Sequence, residues 1–452
     1  MAIDPERDRF AGRLQRTVRV GAGLAGAGVS FGANRLFGGD EADARNARLI
    51  KESLGQLKGP LMKVAQMVAT VPDLLPPEFA QQFAELQTNA PAMGGPFVRR
   101  RMAAELGPDW RGRYADFTLE AAAAASLGQV HRAVAHDGRA LAVKLQYPEM
   151  QSAVESDLGQ MRTLMALGRR VFGAVDTSEI GAEITERLRE ELDYAREAKQ
   201  MALYRNFFAG REDIVAPEPL FELSTQRLLT MTWLDGQGLL AFKGAPAGVR
   251  NNIARRLFEA WWAPMTTIGV IHGDPHLGNY TFQGEGERLN LLDFGCIRIF
   301  PPSFVAGVVK LYRALIADDR EAMMEAYVAW GFKNLSWELM DVLNIWARFI
   351  YGPLLEDRVR TVADGIEPGM YGRREAFTVK QALIEKGPVT IPREFVFMDR
   401  AAIGLGSAFL HLGAELNWRR LFEESLEGFE EEALAKRQAT ALTAVGLEPP
   451  AA

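Results

Sequence analysis

The spacing that most restricts how this chain folds lies past its midpoint. His272-Gly273-Asp274-Pro275-His276-Leu277-Gly278-Asn279 is followed, 14 residues after the asparagine, by Asp293-Phe294-Gly295. Leu289–Leu292 reads as a strand, so Asp293 falls at a strand end. Asp274, Asn279 and Asp293 offer the hard oxygen atoms that a magnesium ion takes, with one carboxylate near an attacking hydroxyl or water. Asp293-Phe294-Gly295 alone would serve equally as a turn; both motifs at this distance carry the inference. With 48% hydrophobic and 24% charged residues, collagen-like, disordered and disulfide-framework chains are excluded. A length of 452 residues suggests two or three folded units. The net charge of −6 (52 − 58) argues against nucleic acid as a partner. Cys296, the one cysteine, has no partner for an internal disulfide, which points to a reducing compartment.

An Asp with an Asn five residues on, then Asp-Phe-Gly, is the protein-kinase order of catalytic loop and metal-binding strand end. The upstream half must then supply a lysine and a phosphate cover. Gly128–Ala135 and Arg139–Gln146 alternate with period two and are joined by His136-Asp137-Gly138, a hairpin signal. The second stretch holds Leu141-Ala142-Val143-Lys144, where a kinase places its phosphate-pairing lysine. Before it, Ala123-Ala124-Ala125-Ser126-Leu127-Gly128-Gln129-Val130 lies on the GxGxxGxV pattern with its first two glycines replaced by Ala123 and Ala125. The run opens a hairpin, so it is expected to be a loop rather than a helix, held further from phosphates than a Gly-rich one. Glu190–Glu197 reads as strongly helical; at ~100° per residue Glu191 and Glu197 point about 120° apart and could serve two different lysines. Glu190 is expected on a solvated face.

Residues 1–40 are basic and Gly/Ala-rich. Arg13, Arg16 and Arg19 share one helical face and lead into Gly21-Ala22-Gly23-Leu24-Ala25-Gly26. That hexad spells a dinucleotide fingerprint but follows an arginine-studded helix instead of a buried strand, so it reads as a closely packed helix. Arginines beside it would also suit an anionic membrane surface. Residues 41–110 read as a helical extension, 111–234 as a small lobe of sheet plus long helices, 235–440 as a helical large lobe, and 441–452 as a flexible tail. The small lobe would end with a strand over Leu228–Trp233. No secretory signal is read, since residues 1–19 carry five arginines. No uncharged apolar run reaches the ~18–20 residues of a spanning helix. Ala260–Gly273 and Ala401–Ala414 are expected to be buried core helices.

These residues together carry a family resemblance. The chain resembles the UbiB/AarF-type atypical kinases, the ADCK-like family linked to ubiquinone biosynthesis. The resemblance rests on Ala123–Ser126 with Gly128-Gln129-Val130-His131, Glu191-Leu192-Asp193-Tyr194 with Glu197-Ala198, Asp274-Pro275-His276 through Asn279, and Asp293. Upstream, Lys63-Val64-Ala65-Gln66 and Pro72-Asp73-Leu74-Leu75-Pro76-Pro77-Glu78 resemble the family's signature extension, with Ala65 where the family has glycine. The resemblance implies an α+β, two-lobed protein-kinase-like fold, mostly helical, with an N-terminal helical extension. It implies that Lys144 pairs the phosphates of ATP, that Glu197 anchors Lys144, that Asn279 and Asp293 hold Mg2+, and that Asp274 is the candidate base. The nucleotide would also meet Ala123, Ala124, Ala125 and Ser126, the gatekeeper Met231, and the hinge Thr232–Leu234. Lys63 and Gln66 would fold over the active site, with Lys63 facing Glu191, and disfavour ordinary protein substrates.

The expected function is Mg-dependent ATP hydrolysis or phosphoryl transfer supporting ubiquinone synthesis, with an anionic membrane surface, an isoprenoid lipid and quinone-biosynthesis enzymes as candidate partners. The expected location is cytoplasmic, peripheral on the inner membrane. One rival is a small-molecule phosphotransferase of the aminoglycoside or choline kinase type; the other is a nucleotide-binding pseudokinase scaffold. His272 and His276 do not form a zinc pattern, and His272 is expected to brace the loop through hydrogen bonds. Cys296 reads as a small apolar filler.

Overall fold

The computed structural model describes residues 93–450 apart from 126, 149, 151–185, 187, 188, 333, 334, 368, 369, 387, 388, 390, 391 and 393. The basic N-terminal segment, Lys63, Gln66 and Ser126 therefore lie outside the described residues, as does most of the helical pattern between Pro148 and Glu190. The described chain divides into two compact units. The first holds residues up to Asp193 together with Thr225–Thr230; the second holds Tyr194–Ser224 and the chain from Met231 onward.

Unit 1 is built on a sheet of order β1-β2-β3-β5, from β1 (Asp116–Ala125), β2 (Gly128–Val134), β3 (Ala140–Gln146) and β5 (Leu228–Thr232), of which Leu228–Thr230 fall in this unit. β1 and β2 are antiparallel, as are β2 and β3. The turn between β2 and β3 is the expected one. Gly138 takes a positive φ of 87°, its N–H donates to Ala135 O at 2.9 Å, and Asp137 Oδ1 accepts from Arg139 N at 3.0 Å. Helix α1 (Gly95–Leu106) is pinned through charge. The Glu105 carboxylate accepts from Arg101 (3.4 Å), Arg227 Nε (2.9 Å) and Thr225 Oγ1 (2.7 Å), which ties the helix end to the entrance of β5. Gln129 clamps the chain ahead of α1, accepting from Met93 N at 2.6 Å and donating to Met93 O at 3.2 Å.

Unit 2 is dominated by helices: α2 (Tyr194–Phe207), α3 (Ala247–Ile268), α4 (Pro302–Ala317), α5 (Arg320–Ala329), α6 (Trp337–Leu355), α7 (Arg373–Lys386), α8 (Glu394–Leu412), α9 (Trp418–Ser425) and α10 (Glu431–Ala444). Its strands are short. β4 (Ile214–Val215) runs parallel to β8 (Arg288–Leu291), which pairs antiparallel with β7 (Tyr280–Gln283). β6 (Val270–His272) pairs antiparallel with β9 (Ile297–Ile299). The core is aromatic and aliphatic, with Trp261, Trp418, Tyr204, Tyr280 and Phe294 almost wholly buried. Buried Gln438 on α10 donates to Ile268 O (3.0 Å) and Phe300 O (2.9 Å), joining the ends of α3 and β9. The α+β class is as expected. Among the described residues no helix is long and apolar enough to cross a membrane.

Three local expectations are corrected. The alanine run is not a loop: Ala123, Ala124 and Ala125 end β1, paired with Val130, Gln129 and Gly128 after a register irregularity near Ala121. Cross-strand pairing overrides alanine's preference for helix. Glu190–Glu197 is not one helix. Turn hydrogen bonds Leu192 N to Arg189 O (3.2 Å) and Asp193 N to Glu190 O (3.0 Å) break it, and α2 begins only at Tyr194. The angle inferred between Glu191 and Glu197 therefore does not hold, and the two fall in different units. Ala260–Gly273 is helical only to Ile268. Gly269 adopts the left-handed conformation (φ 64°) that ends α3, and Val270–His272 continue as a strand.

Candidate active site

In unit 1, Lys144 lies in β3 between the fully buried Val143 and Leu145 and is itself 6% exposed. Ala123 and Ala124 at the end of β1 are exposed, and Glu191 is buried.

In unit 2 the chemistry-bearing residues meet on the turn between β6 and β7 and on the segment after β8. His272, wholly buried at the end of β6, is the connector. The backbone N–H of Asp274 donates to His272 Nδ1 (3.2 Å), which makes Nδ1 an acceptor and places the ring proton on Nε2. Nε2 then donates to the backbone carbonyl of Asp293 at 2.6 Å. Burial lowers the imidazole pKa, keeping it neutral, as this pattern requires. Trp261, Tyr204 and Phe294 surround the ring, with centroids 5.1, 6.4 and 6.2 Å away. One neutral histidine thus fixes the backbone of both aspartates, as the bracing expectation held.

Asn279 closes the loop. Its Nδ2 donates to Asp274 O (3.0 Å), and its backbone carbonyl accepts from Leu292 N (2.9 Å), the residue before Asp293. With the amide nitrogen committed, the amide oxygen is the atom left for a hard cation. Asp293 Oδ1 accepts from Gly295 N at 3.0 Å, which orients the carboxylate at its strand end. Phe294 is fully buried, and its N–H lies 3.4 Å from Oε1 of Glu197, a 2% exposed carboxylate in the first turn of α2. Negative charge is favoured at that helix position. Gly273 is required by contact: its N–H donates to Cys296 O (2.7 Å), and an added Cβ would sit 2.9 Å from the same oxygen. Cys296 is buried, and its Sγ accepts from Arg298 Nη2 at 3.3 Å, so it is more than the apolar filler expected.

One participant was missed in the sequence. Arg400, on α8, donates from Nη2 to Asp274 Oδ1 at 2.6 Å, with both side chains only 10–11% exposed. One turn further, Gly404 faces Pro275, whose ring leaves no room for a Cβ. Beside Arg400, Asp399 accepts from Trp346 Nε1 of α6 at 2.8 Å, and desolvation pushes its carboxyl up to about 7. The available signal was the Asp399-Arg400 charge pair heading an otherwise apolar helical run, Ala401–Ala414.

The structure thus brings Asp274, Asn279, Asp293 and Glu197 together within unit 2. Met231 (buried), Thr232 and Leu234 belong to unit 2 as well, with Thr232 N donating to Glu218 O at 3.0 Å. Lys144, Ala123–Ala125 and Glu191 belong to unit 1. Among the described residues no group of three or more His, Cys, Asp or Glu forms a metal cage. Asn279 and Asp293 would supply a set of two oxygen ligands. Such a set fits Mg2+, which binds one or two protein ligands and completes its shell with phosphate oxygens and water.

A strand-ended Asp-Phe-Gly, a loop aspartate and an asparagine five residues later, tied by one histidine, define a kinase-like site. A solved structure agrees on the fold. The chain aligns with Rv3197 of Mycobacterium tuberculosis, solved as a complex with erythromycin, at TM-score 0.60 and 25% identity, over 86% of this chain and 97% of that one. The family model "ABC1 atypical kinase-like domain" matches residues 85–327, just over half of the sequence. The chain belongs to this atypical kinase family, as the resemblance implied. It is 30% identical over 341 residues to the mitochondrial atypical kinase coq-8 of Caenorhabditis elegans, covering 71% of this chain and 45% of that protein. With the mitochondrial atypical kinase COQ8 of Saccharomyces cerevisiae it shares 25% identity over 331 residues, covering 71% and 66%. The chain spans about half to two thirds of the length of these curated relatives.

Proposed function

We propose that this chain is an Mg-dependent ATPase or phosphotransferase of the atypical kinase class that supports isoprenoid-quinone (ubiquinone) synthesis at a membrane surface. The observation that carries the reading is the hydrogen-bonded unit Asp274–His272–Asp293–Asn279. It ties the Asp274 and Asp293 backbones and the Asn279 amide together, which supports reading one carboxylate as serving an acceptor and an oxygen pair as holding a cation. In this reading Asn279 and Asp293 hold Mg2+, which when bound offsets charge on the nucleotide phosphates. Lys144 pairs those phosphates, and the exposed alanines at the end of β1, with Ser126, cover them. Met231 and Thr232–Leu234 line the adenine side. Asp274 orients the attacking hydroxyl or water and receives its proton. Glu197, hydrogen-bonded at the Phe294 backbone, sets the metal-binding segment. The quinone and membrane context rests on the resemblance to the UbiB/AarF-type kinases, and Lys63 and Gln66, with Glu191, are assigned the exclusion of protein substrates.

The test is ATP hydrolysis by purified protein in magnesium, with and without anionic vesicles. Asp293→Asn and Lys144→Ala are each expected to lower kcat/KM by about 100-fold or more, a loss of about 2.7 kcal/mol of transition-state stabilisation. Wild-type rates retained in Asp293→Asn would remove the catalytic reading.

A further inference from the structure

Phosphoryl transfer through an aspartate benefits from a fixed cation beside it, which holds the carboxylate in one orientation. Here the loop does not supply one: Pro275, His276, Leu277 and Gly278 include no lysine or arginine. Both ring nitrogens of His272 are spent on backbone groups, Nδ1 accepting from Asp274 N and Nε2 donating to Asp293 O, and His276, on the exposed side, uses Nδ1 to accept from Gly278 N at 3.1 Å. The cation on Asp274 comes instead from Arg400, 126 residues away in sequence, on a helix beyond the matched family domain.

We propose that Arg400 is the positioning residue of Asp274, delivered by α8 as a part of the active site lying outside the 85–327 family domain. Three observations support a built contact rather than an incidental ion pair. The Arg400–Asp274 bond is short, 2.6 Å, and both side chains are nearly buried, so the pair is little screened. Gly404 stands one helical turn from Arg400, on the same face, and its missing side chain admits Pro275, the residue after Asp274. Two successive loop residues therefore meet two residues of α8. On its other side α8 is held to α6 by the Trp346–Asp399 hydrogen bond, which fixes the helix rotation that aims Arg400 at the loop. Of two adjacent acidic and basic residues, one anchors the helix and the other serves the site.

The inference rests on the proposed ATP-dependent reaction, and the wild-type rate separates failure of the one from failure of the other. Steady-state ATP hydrolysis in magnesium is measured for the full chain and for Arg400→Lys, Arg400→Met and Arg400→Ala, with thermal midpoints and nucleotide affinity recorded for each. A misoriented catalytic group costs about 100-fold in rate. Arg400→Met is therefore expected to lose about that much in kcat, with KM for ATP within about twofold. Arg400→Lys should retain an intermediate rate, and added guanidinium ion should restore part of the Arg400→Ala rate. An unchanged kcat in Arg400→Met overturns the assignment and leaves the ATPase reading standing. So does a loss that tracks a fall in thermal midpoint and is not restored by guanidinium or lysine, because Arg400 would then be a structural tie only. A wild-type chain that turns over no ATP overturns both.

Discussion

His272 illustrates what one side chain does when its tautomer is fixed. Its Nδ1 accepts from the Asp274 backbone, its Nε2 donates to the Asp293 carbonyl, and burial keeps it uncharged. Asp399 shows the opposite strain, a carboxylate whose ionisation the fold disfavours. Its folded pKa, about 7, lies above the unfolded value of about 3.9. The bound proton therefore stabilises the fold below about pH 4, and that contribution is lost as pH rises through about 7. Asp399→Asn keeps an acceptor for Trp346 and removes the titration. Urea unfolding should show the variant more stable than wild type at pH 8, by up to about 4 kcal/mol, with the gap closing toward pH 4. A gap of the same size at both pH values would contradict the assignment. Residues such as Asp274, Asn279 and Asp293 were legible in the sequence because a loop and the strand after it place them within 20 residues of each other. Arg400 was not, since nothing local says which loop a distant helix will meet.

At the scale of elements, close approach decides more than propensity does. Alanine normally gains over glycine in a helix by about 1 kcal/mol. At Gly404 the added methyl has no space beside the Pro275 ring, and overpacking costs about 1–3 kcal/mol. Gly404→Ala is therefore expected to be net destabilising, or neutral with a displaced loop and a lower kcat. An Ala variant that is both more stable and fully active would show that α8 does not press on the loop. The hairpin of β2 and β3 was readable, because alternation and His136-Asp137-Gly138 are local instructions. The alanine run was misread as a loop because pairing with β2 is a non-local gain. The break at Glu191–Asp193 was invisible because no Gly or Pro marks it. Gly269, by contrast, stood in view within the run Ala260–Gly273, and its left-handed φ accounts for the end of α3.

For the whole molecule, the two units divide the chemistry-bearing residues. The sheet unit carries Lys144 and the exposed alanines; the helical unit carries the Asp274, Asn279 and Asp293 group. The ordered motifs made the kinase-like α+β class readable, whereas the grouping of Tyr194–Ser224 with the later helices depends on packing that sequence order does not reveal. If unit 2 holds the cation as proposed, nucleotide affinity itself must depend on it. The most direct measurement is calorimetric binding of a non-hydrolysable ATP analogue to the full chain, with magnesium and with chelator, for wild type, Asn279→Ala and Asp293→Asn. Wild type should bind at least about tenfold more tightly with magnesium, a difference of about 1.4 kcal/mol, and both variants should lose most of that gain. Equal affinity with and without magnesium, or an undiminished magnesium gain in Asp293→Asn, would contradict the account.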